Sequence, residues 1–345
     1  MKTTELRYSK TKIDNAGELL KGEHKSSKQI GEALEVLSNW RTYHAIPLNS
    51  FAQVLKKRAR EVNIGAVIAQ RLKRTPSILL KLKNHKTMRL STMQDIGGVR
   101  AILDSVDEVY SLLFLYKKSR SKHQLFSLND YIETPKSDGY RSIHLVYKLK
   151  KTPSIFLEIQ IRSYLQHIWA TGVEVFGTLR NSSFKSGQGS KEWLSFFALL
   201  SSVFAIKENK PVLKKHRQLT QVEILKKTKE KIRNLQIIEN LSVYSHIYKL
   251  VSNKKTKGGQ GNYSLITLNS RENTISVRSF GAKQFESATL EYLQLERQYF
   301  NDRQINVVLV NSGDIKKLEI SYPNYFMDTK SLVQNISLIM MDKFV

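Results

Sequence analysis

Cysteine is absent from the chain. That excludes disulfides, thiolate catalysis and cysteine-based zinc sites, and it fits a reducing cytoplasm. Proline and glycine are scarce, at 6 and 16 residues of 345. With 41% hydrophobic residues, the chain is not of the disordered or low-complexity class. No long apolar run occurs. The most apolar stretch, 193–206, is interrupted by Ser195, Ser201 and Ser202 and is shorter than the ~20 residues a membrane helix needs. It reads as a buried core helix. The first ten residues are polar and lack the apolar stretch of a secretory signal. A cytoplasmic protein without a membrane partner is expected.

Acidic residues are also in short supply: 30 against 56 Lys and Arg, a net charge of +26. An excess of this size favours polyanionic partners such as nucleotides or nucleic acid. The alternative is a soluble protein with one lysine-rich face.

The length suggests two domains. The first ~70 residues have helical periodicity, with Ile30, Leu34, Leu37 and Trp40 on one stripe and a second helical stretch at 50–69. Residues 99–103 read as a strand, 106–118 as a helix, 142–149 and 155–161 as strands, and 163–176 as a helix. A Ser/Gly loop follows at 181–190, and 207–233 is strongly basic and helical after Thr220. Beyond it, 263–268, 274–279 and 304–310 read as strands and 287–300 as a helix. The expectation is an α+β protein: a mixed sheet flanked by helices over 1–206, a basic helical linker over 207–235, and a smaller α+β module over 236–345.

Four clusters carry chemistry. RLKRTPSILLK holds Arg71, Lys73, Arg74, Ser77 and Lys81, and Pro76 permits a helix to begin there. Cations beside a helix start suit a triphosphate, although a solvated basic helix has the same composition. MQDIGGVR places Asp95 before a Gly-Gly bend and Arg100 after it. A carboxylate there suits Mg²⁺, which takes one or two carboxylates and keeps phosphates as further ligands; a plain turn is the alternative. In NDYIETPKSDGYRSIH, Tyr140 offers a face on which a base can stack, and Lys136, Arg141 and His144 offer charge to phosphates. A hairpin loop with a packing tyrosine reads the same way. In EIQIR, Glu158, Gln160 and Arg162 alternate and so share one face of a strand. Glu158 there can ligate Mg²⁺ or take a proton from a hydroxyl.

In this order the clusters read R-x-K-x-x-x-S-x-x-x-K, D-I-x-G-x-R, K-x-x-G-Y-R-S-x-H and E-x-Q-I-R. From Arg71 to about Gly177 the chain resembles the RelA/SpoT synthetase domain, whose members make the alarmones (p)ppGpp. The resemblance implies that Arg71 and Arg100 sandwich the adenine of ATP, with Lys73, Ser77 and Lys81, and Arg74 less directly, at its phosphates. It implies Mg²⁺ on Asp95, and Glu158 either as a second ligand or as the group that activates the attacking hydroxyl. Tyr140 would stack on the acceptor base. Lys136, Arg141, His144, Gln160 and Arg162 complete the acceptor side. His167 stands where many small alarmone synthetases carry an Asn that reads guanine, which weakens the case for a GDP or GTP acceptor.

No His-Asp hydrolase cluster precedes Arg71, so a restraint is expected elsewhere. SYPNYF near the C-terminus carries Tyr322, Pro323, Asn324, Tyr325 and Phe326, aromatics that either stack in a nucleobase pocket or pack in a core. With this segment the layout resembles CapRel, the fused toxin–antitoxin branch of the toxic small alarmone synthetases. That resemblance implies pyrophosphate transfer from ATP to the 3′-CCA end of tRNA. It also implies inhibition of the site by the YPNYF segment and release by a phage major capsid protein. An alarmone synthetase making (p)ppGpp or a pApp-type product, and a non-catalytic nucleic-acid-binding protein, are the competing readings.

Overall fold

The computed structural model describes residues 5–22, 26–150, 153–179, 191–239, 249–251, 263–272, 274–300, 302, 304–310 and 329–344. The expected autoinhibitory residues Tyr322, Pro323, Asn324, Tyr325 and Phe326 lie outside them.

The chain opens with α1 (Lys10–Lys21) and α2 (Ser27–Val62). A capping box between Ser26 and Gln29 starts α2, and the helix runs unbroken through Pro47. The helical pattern expected at 50–69 is therefore the end of α2, and its last residues belong instead to β1 (Val67–Leu72). Next come α3 (Thr75–Asn84), β2 (Gly97–Leu103) and α4 (Val106–Lys118). Ser105 caps α4, with Asp107 and Glu108 in its first turn and Lys117 and Lys118 in its last, the arrangement that suits the helix dipole. Three strands follow: β3 (Gln124–Asp130), β4 (Ile143–Lys148) and β5 (Phe156–Ser163).

These strands form one sheet in the order β1-β2-β5-β4-β3, with β2 and β5 parallel and the other pairs antiparallel. Register fixes what each face carries. Arg71 lies opposite Gly98, which lies opposite Glu158; Arg100 lies opposite Gln160, which lies opposite His144. Partners across a ladder share a face, so these polar side chains stand together. Val99, Ile159 and Leu145 fall on the other face and join a buried core with residues of α2 and α4.

A second core is helical. Residues of α5 (Tyr164–Leu179), α6 (Lys191–Lys207), α7 (Gln221–Asn234) and α9 (Lys330–Met340) bury Trp169, Phe176, Phe197, Ile224, Leu332 and Ile336 together. The basic stretch thus has an apolar side, packed against α6 and α9.

The C-terminal strands β6 (Lys249–Val251), β7 (Tyr263–Asn269), β8 (Thr274–Phe280) and β9 (Ile305–Val310) form a sheet in the order β6-β8-β7-β9. One face, with Tyr263, Leu265, Val307 and Leu309, packs on α8 (Phe285–Gln298) through Ala288 and Tyr292. The other, with Ile266, Leu268, Ile275 and Val308, packs on Ala69 of β1 and Val175 of α5. Ala69 pairs with Arg100, so the second sheet lies against the polar face of the first, at its β1 edge. Among the described residues no helix is long and apolar enough to cross a membrane.

Candidate active site

Two cavities open on the polar face. The larger, about 350 Å³, is lined by Lys81, Asp95, Lys136, Tyr140, His144, Glu158 and Gln160, with an apolar wall of Trp169, Val173 and Phe197. The smaller, about 50 Å³, is lined by Ala69, Arg71, Lys73, Arg100, Asp95, Glu158 and Gln160. Asp95, Glu158 and Gln160 border both, so the two spaces meet at a pair of carboxylates.

Asp95 leaves the turn before β2 and is gripped by two ammonium groups, Lys73 Nζ and Lys81 Nζ, each 2.9 Å away. Burial pushes its carboxyl up, but the two lysines outweigh that and hold it at about 2. The same contact looks weaker from Lys73. Burial there exceeds the lift from Asp95, and Arg71 and Lys81 add repulsion, so Lys73 sits below its usual value. A carboxylate shared between two cations is the more firmly charged partner.

Glu158 accepts from His144 Nδ1 at 2.7 Å with one oxygen and from Gln160 Nε2 at 2.7 Å with the other. Burial and Asp95 act to raise it, yet His144 and Gln160 keep it below the ordinary carboxylate range. His144 bonds through Nε2 to the Tyr140 hydroxyl at 2.8 Å. Burial disfavours its charge, but Tyr140 and Glu158 lift it to about 9. Tyr140 itself comes down to about 8: burial is overcome by His144, Arg162 and Arg100. The polar groups of the larger cavity therefore form one chain, Gln160–Glu158–His144–Tyr140. On the other flank Arg100 donates from Nε to Gln160 at 3.2 Å.

The loop bearing Tyr140 depends on Gly139, whose φ of +106° is open to glycine and strained for other residues. Its carbonyl accepts from Ser201 Oγ at 2.6 Å. Arg141 is not on a cavity wall. It is buried as a strut, donating to Ile132 O at 2.9 Å, Pro211 O at 2.7 Å and Ser201 Oγ at 3.2 Å, and burial lowers it to about 10. Arg162 and His167 are likewise buried, bonded to each other behind Tyr140, with Arg162 held well below its ordinary value by burial and then by Arg100. Arg74 is turned to the C-terminal module, where it bonds Asn306 Oδ1. Ser77 is half-buried on α3, off both walls. Of the residues singled out in the sequence, the cavities thus gather Arg71, Lys73, Lys81, Asp95, Arg100, Lys136, Tyr140, His144, Glu158 and Gln160. They leave Arg74, Ser77, Arg141, Arg162 and His167 outside.

Residues 70–177 match the family model described as the region found in RelA / SpoT proteins. The match takes in the end of β1, β2 to β5, α3, α4 and most of α5, and so most of the cavity walls; α6, which adds Leu194 and Phe197, lies outside it. Among curated proteins, GTP pyrophosphokinase YjbM of Bacillus subtilis is 35% identical over 114 residues, which is 30% of this chain and 52% of that protein. GTP pyrophosphokinase YwaC of the same organism is 32% identical over 84 residues, 23% of this chain and 40% of that protein. The chain thus spans about half or less of these relatives. A crystal structure of small alarmone synthetase 1 from Bacillus subtilis bound to pppGpp is 22% identical, with a TM-score of 0.41, covering 50% of this chain and 94% of that one.

The cavity walls also include residues that motif reading did not single out. Asn129 and Tyr131 lie inside the quoted NDYIETPKSDGYRSIH segment, but Trp169, Val173, Leu194 and Phe197 come from α5 and α6. Nothing in the sequence distinguishes those four from other core positions.

Proposed function

We propose that this chain is an ATP-dependent pyrophosphokinase, with the donor held at Arg71, Lys73 and Arg100 and the acceptor at Lys136, Tyr140 and His144. The observation that carries this is the junction: donor-side cations and acceptor-side aromatics open onto the same two carboxylates. The acceptor 3′-hydroxyl attacks the β-phosphorus of ATP, forming the new O–P bond as the bond to the α-phosphate oxygen breaks and AMP leaves. Lys73 and Lys81, drawn from Asp95, meet the charge gathering on the transferred group. The acceptor proton passes to Glu158, whose geometry His144 and Gln160 fix.

Asp95 and Glu158 fit a magnesium ion. Both are ionised, both border the junction, and the charge of Asp95 reaches Glu158. Two carboxylates with phosphates as remaining ligands are what this hard cation takes. When bound it neutralises phosphate charge.

We further propose the 3′-hydroxyl of the tRNA CCA end as acceptor, in anti-phage defence that stops translation. The net charge of +26 and the position of His167 off the cavity wall support this over a guanine-reading site. Residues 236–345 act as the restraint, through Tyr322, Pro323, Asn324, Tyr325 and Phe326, and a phage major capsid protein releases it. Supporting the restraint, the second sheet packs on the face that carries the donor cations. The donor cavity, at about 50 Å³, is well below the roughly 300 Å³ of small-molecule sites. The division into 1–206, 207–235 and 236–345 belongs to this proposal.

Mass analysis of tRNA 3′ ends after the activated protein meets ATP tests the acceptor. Added pyrophosphate on the terminal adenosine is expected. Modification of guanine nucleotides alone would replace tRNA with the alarmone reading, which the acceptor cavity's nucleoside-like size also accommodates.

A further inference from the structure

Tyr131 follows β3 directly and is fixed on both sides. Its N–H donates to Ser142 O at 3.0 Å, and the Asp130 carboxylate accepts from the N–H groups of Ile132 at 2.9 Å and Glu133 at 3.1 Å. Its ring lines the larger cavity and meets Tyr140 at a 65° interplanar angle, with centroids 6.3 Å apart. It also stands edge-on to His144 at 5.2 Å. The two tyrosines thus form an aromatic corner. Lys136 Nζ rests in it, 4.7 Å from the Tyr131 centroid and 5.2 Å from that of Tyr140. A π-face that accepts an ammonium is open to a guest from the cavity.

The two hydroxyls differ. That of Tyr140 is committed to His144, whereas that of Tyr131 has no hydrogen-bond partner among the described residues. A half-buried phenol on a cavity wall, held rigid and uncommitted at its polar tip, has the makings of a recognition group. We propose that Tyr131 is a specificity-determining residue for the acceptor: its ring and free hydroxyl, with Tyr140, receive the unpaired base and ribose of the acceptor nucleotide. The corner favours a flat base carrying a nearby phosphate, because Lys136 stands ready to follow that phosphate. The proposal rests on the acceptor side of the pyrophosphokinase reading.

Calorimetric titration of the full chain tests it. GDP, a short single-stranded RNA ending in CCA, and an ATP analogue with a methylene between its α- and β-phosphates are titrated separately into wild type, Tyr131→Leu and Tyr131→Phe. Tyr131→Leu is expected to weaken the acceptor that wild type binds by roughly tenfold or more, the scale of one lost base stack, and to leave the ATP analogue unchanged. Tyr131→Phe, which keeps the ring, is expected to cost only a few-fold. Acceptor binding within twofold of wild type for Tyr131→Leu would overturn the proposal. So would an equal loss for the ATP analogue, or a wild type that binds neither acceptor. Acceptor binding that depends on Tyr131, with no pyrophosphate transfer to any acceptor by the activated protein, would leave Tyr131 standing and remove the pyrophosphokinase reading.

Discussion

At the scale of single residues, the two carboxylates make separable predictions. Asp95 titrates at about 2 in the folded chain, against about 3.9 in an unfolded one. Its contribution, about 2 kcal/mol, is therefore full above pH ~4 and disappears as pH falls through about 2. Urea unfolding from pH 5 to pH 2, with chelator present, should show Asp95→Asn losing less stability over that window than wild type; parallel curves would contradict the lysine clamp. Glu158→Gln keeps the side chain's shape but removes its charge and basicity. AMP release by the activated protein is expected to fall by roughly 10²–10⁴-fold, the range of a lost general base, with magnesium-free binding of the ATP analogue retained. The ten residues on the cavity walls were legible because the chemistry resides in side-chain identity and spacing. Arg141, Arg162 and His167 were not placed correctly by that logic alone. A buried strut and a cavity cation look identical in a motif, and only the packing of α5 and α6 behind Tyr140 separates them.

At the scale of elements, the turn at Gly139 is the most exacting. A Cβ there would stand 2.9 Å from Ser201 Cβ, on a backbone at φ +106°. Gly139→Ala is expected to cost about 2 kcal/mol or more, from left-handed strain of ~1–2 kcal/mol plus displacement of α6. Thermal melting reads the loss, and the acceptor KM should rise more than that for ATP. An unchanged melting temperature would show that the loop adapts. The sequence showed this segment as a loop bracketed by Pro135 and Gly139, yet it hid β1 and β3. β1 carries Gln70 and Arg71 beside the cations of α3 and so resembles one basic helical face. β3 has three exposed residues at its start, so its pattern has no clean alternation. α9 was overlooked despite a signal: Leu332, Ile336 and Ile339 recur at helical spacing and are buried.

At the scale of the whole molecule, the C-terminal module is fastened to the start of α3. Arg41, 1% exposed, bonds the Glu296 carboxylate, the Tyr292 hydroxyl at 2.6 Å and Thr75 Oγ1 at 3.0 Å. Glu296 also accepts from the Thr75 N–H at 3.0 Å, meeting one of the free donors at that helix end. Burial pulls the Arg41 guanidinium down, but Glu296 and Tyr292 raise it above its usual value. No sequence pattern announces a pair 255 residues apart. Glu296→Ala leaves that charge without its carboxylate, a change worth about 3–5 kcal/mol where it stays buried. Hydrogen exchange should speed up across 263–310 while the central sheet keeps its protection; uniform protection would mean that this contact does not hold the module. The claim on which everything else depends is that donor and acceptor meet at Asp95 and Glu158. The direct measurement uses ATP labelled at the β-phosphate, incubated with the activated protein and either tRNA or GDP. The account predicts label on an acceptor with one AMP formed per labelled product, and both cut by roughly a hundredfold or more with Glu158→Gln. Release of ADP instead of AMP, or an acceptor that stays unlabelled while ATP is consumed, would contradict it.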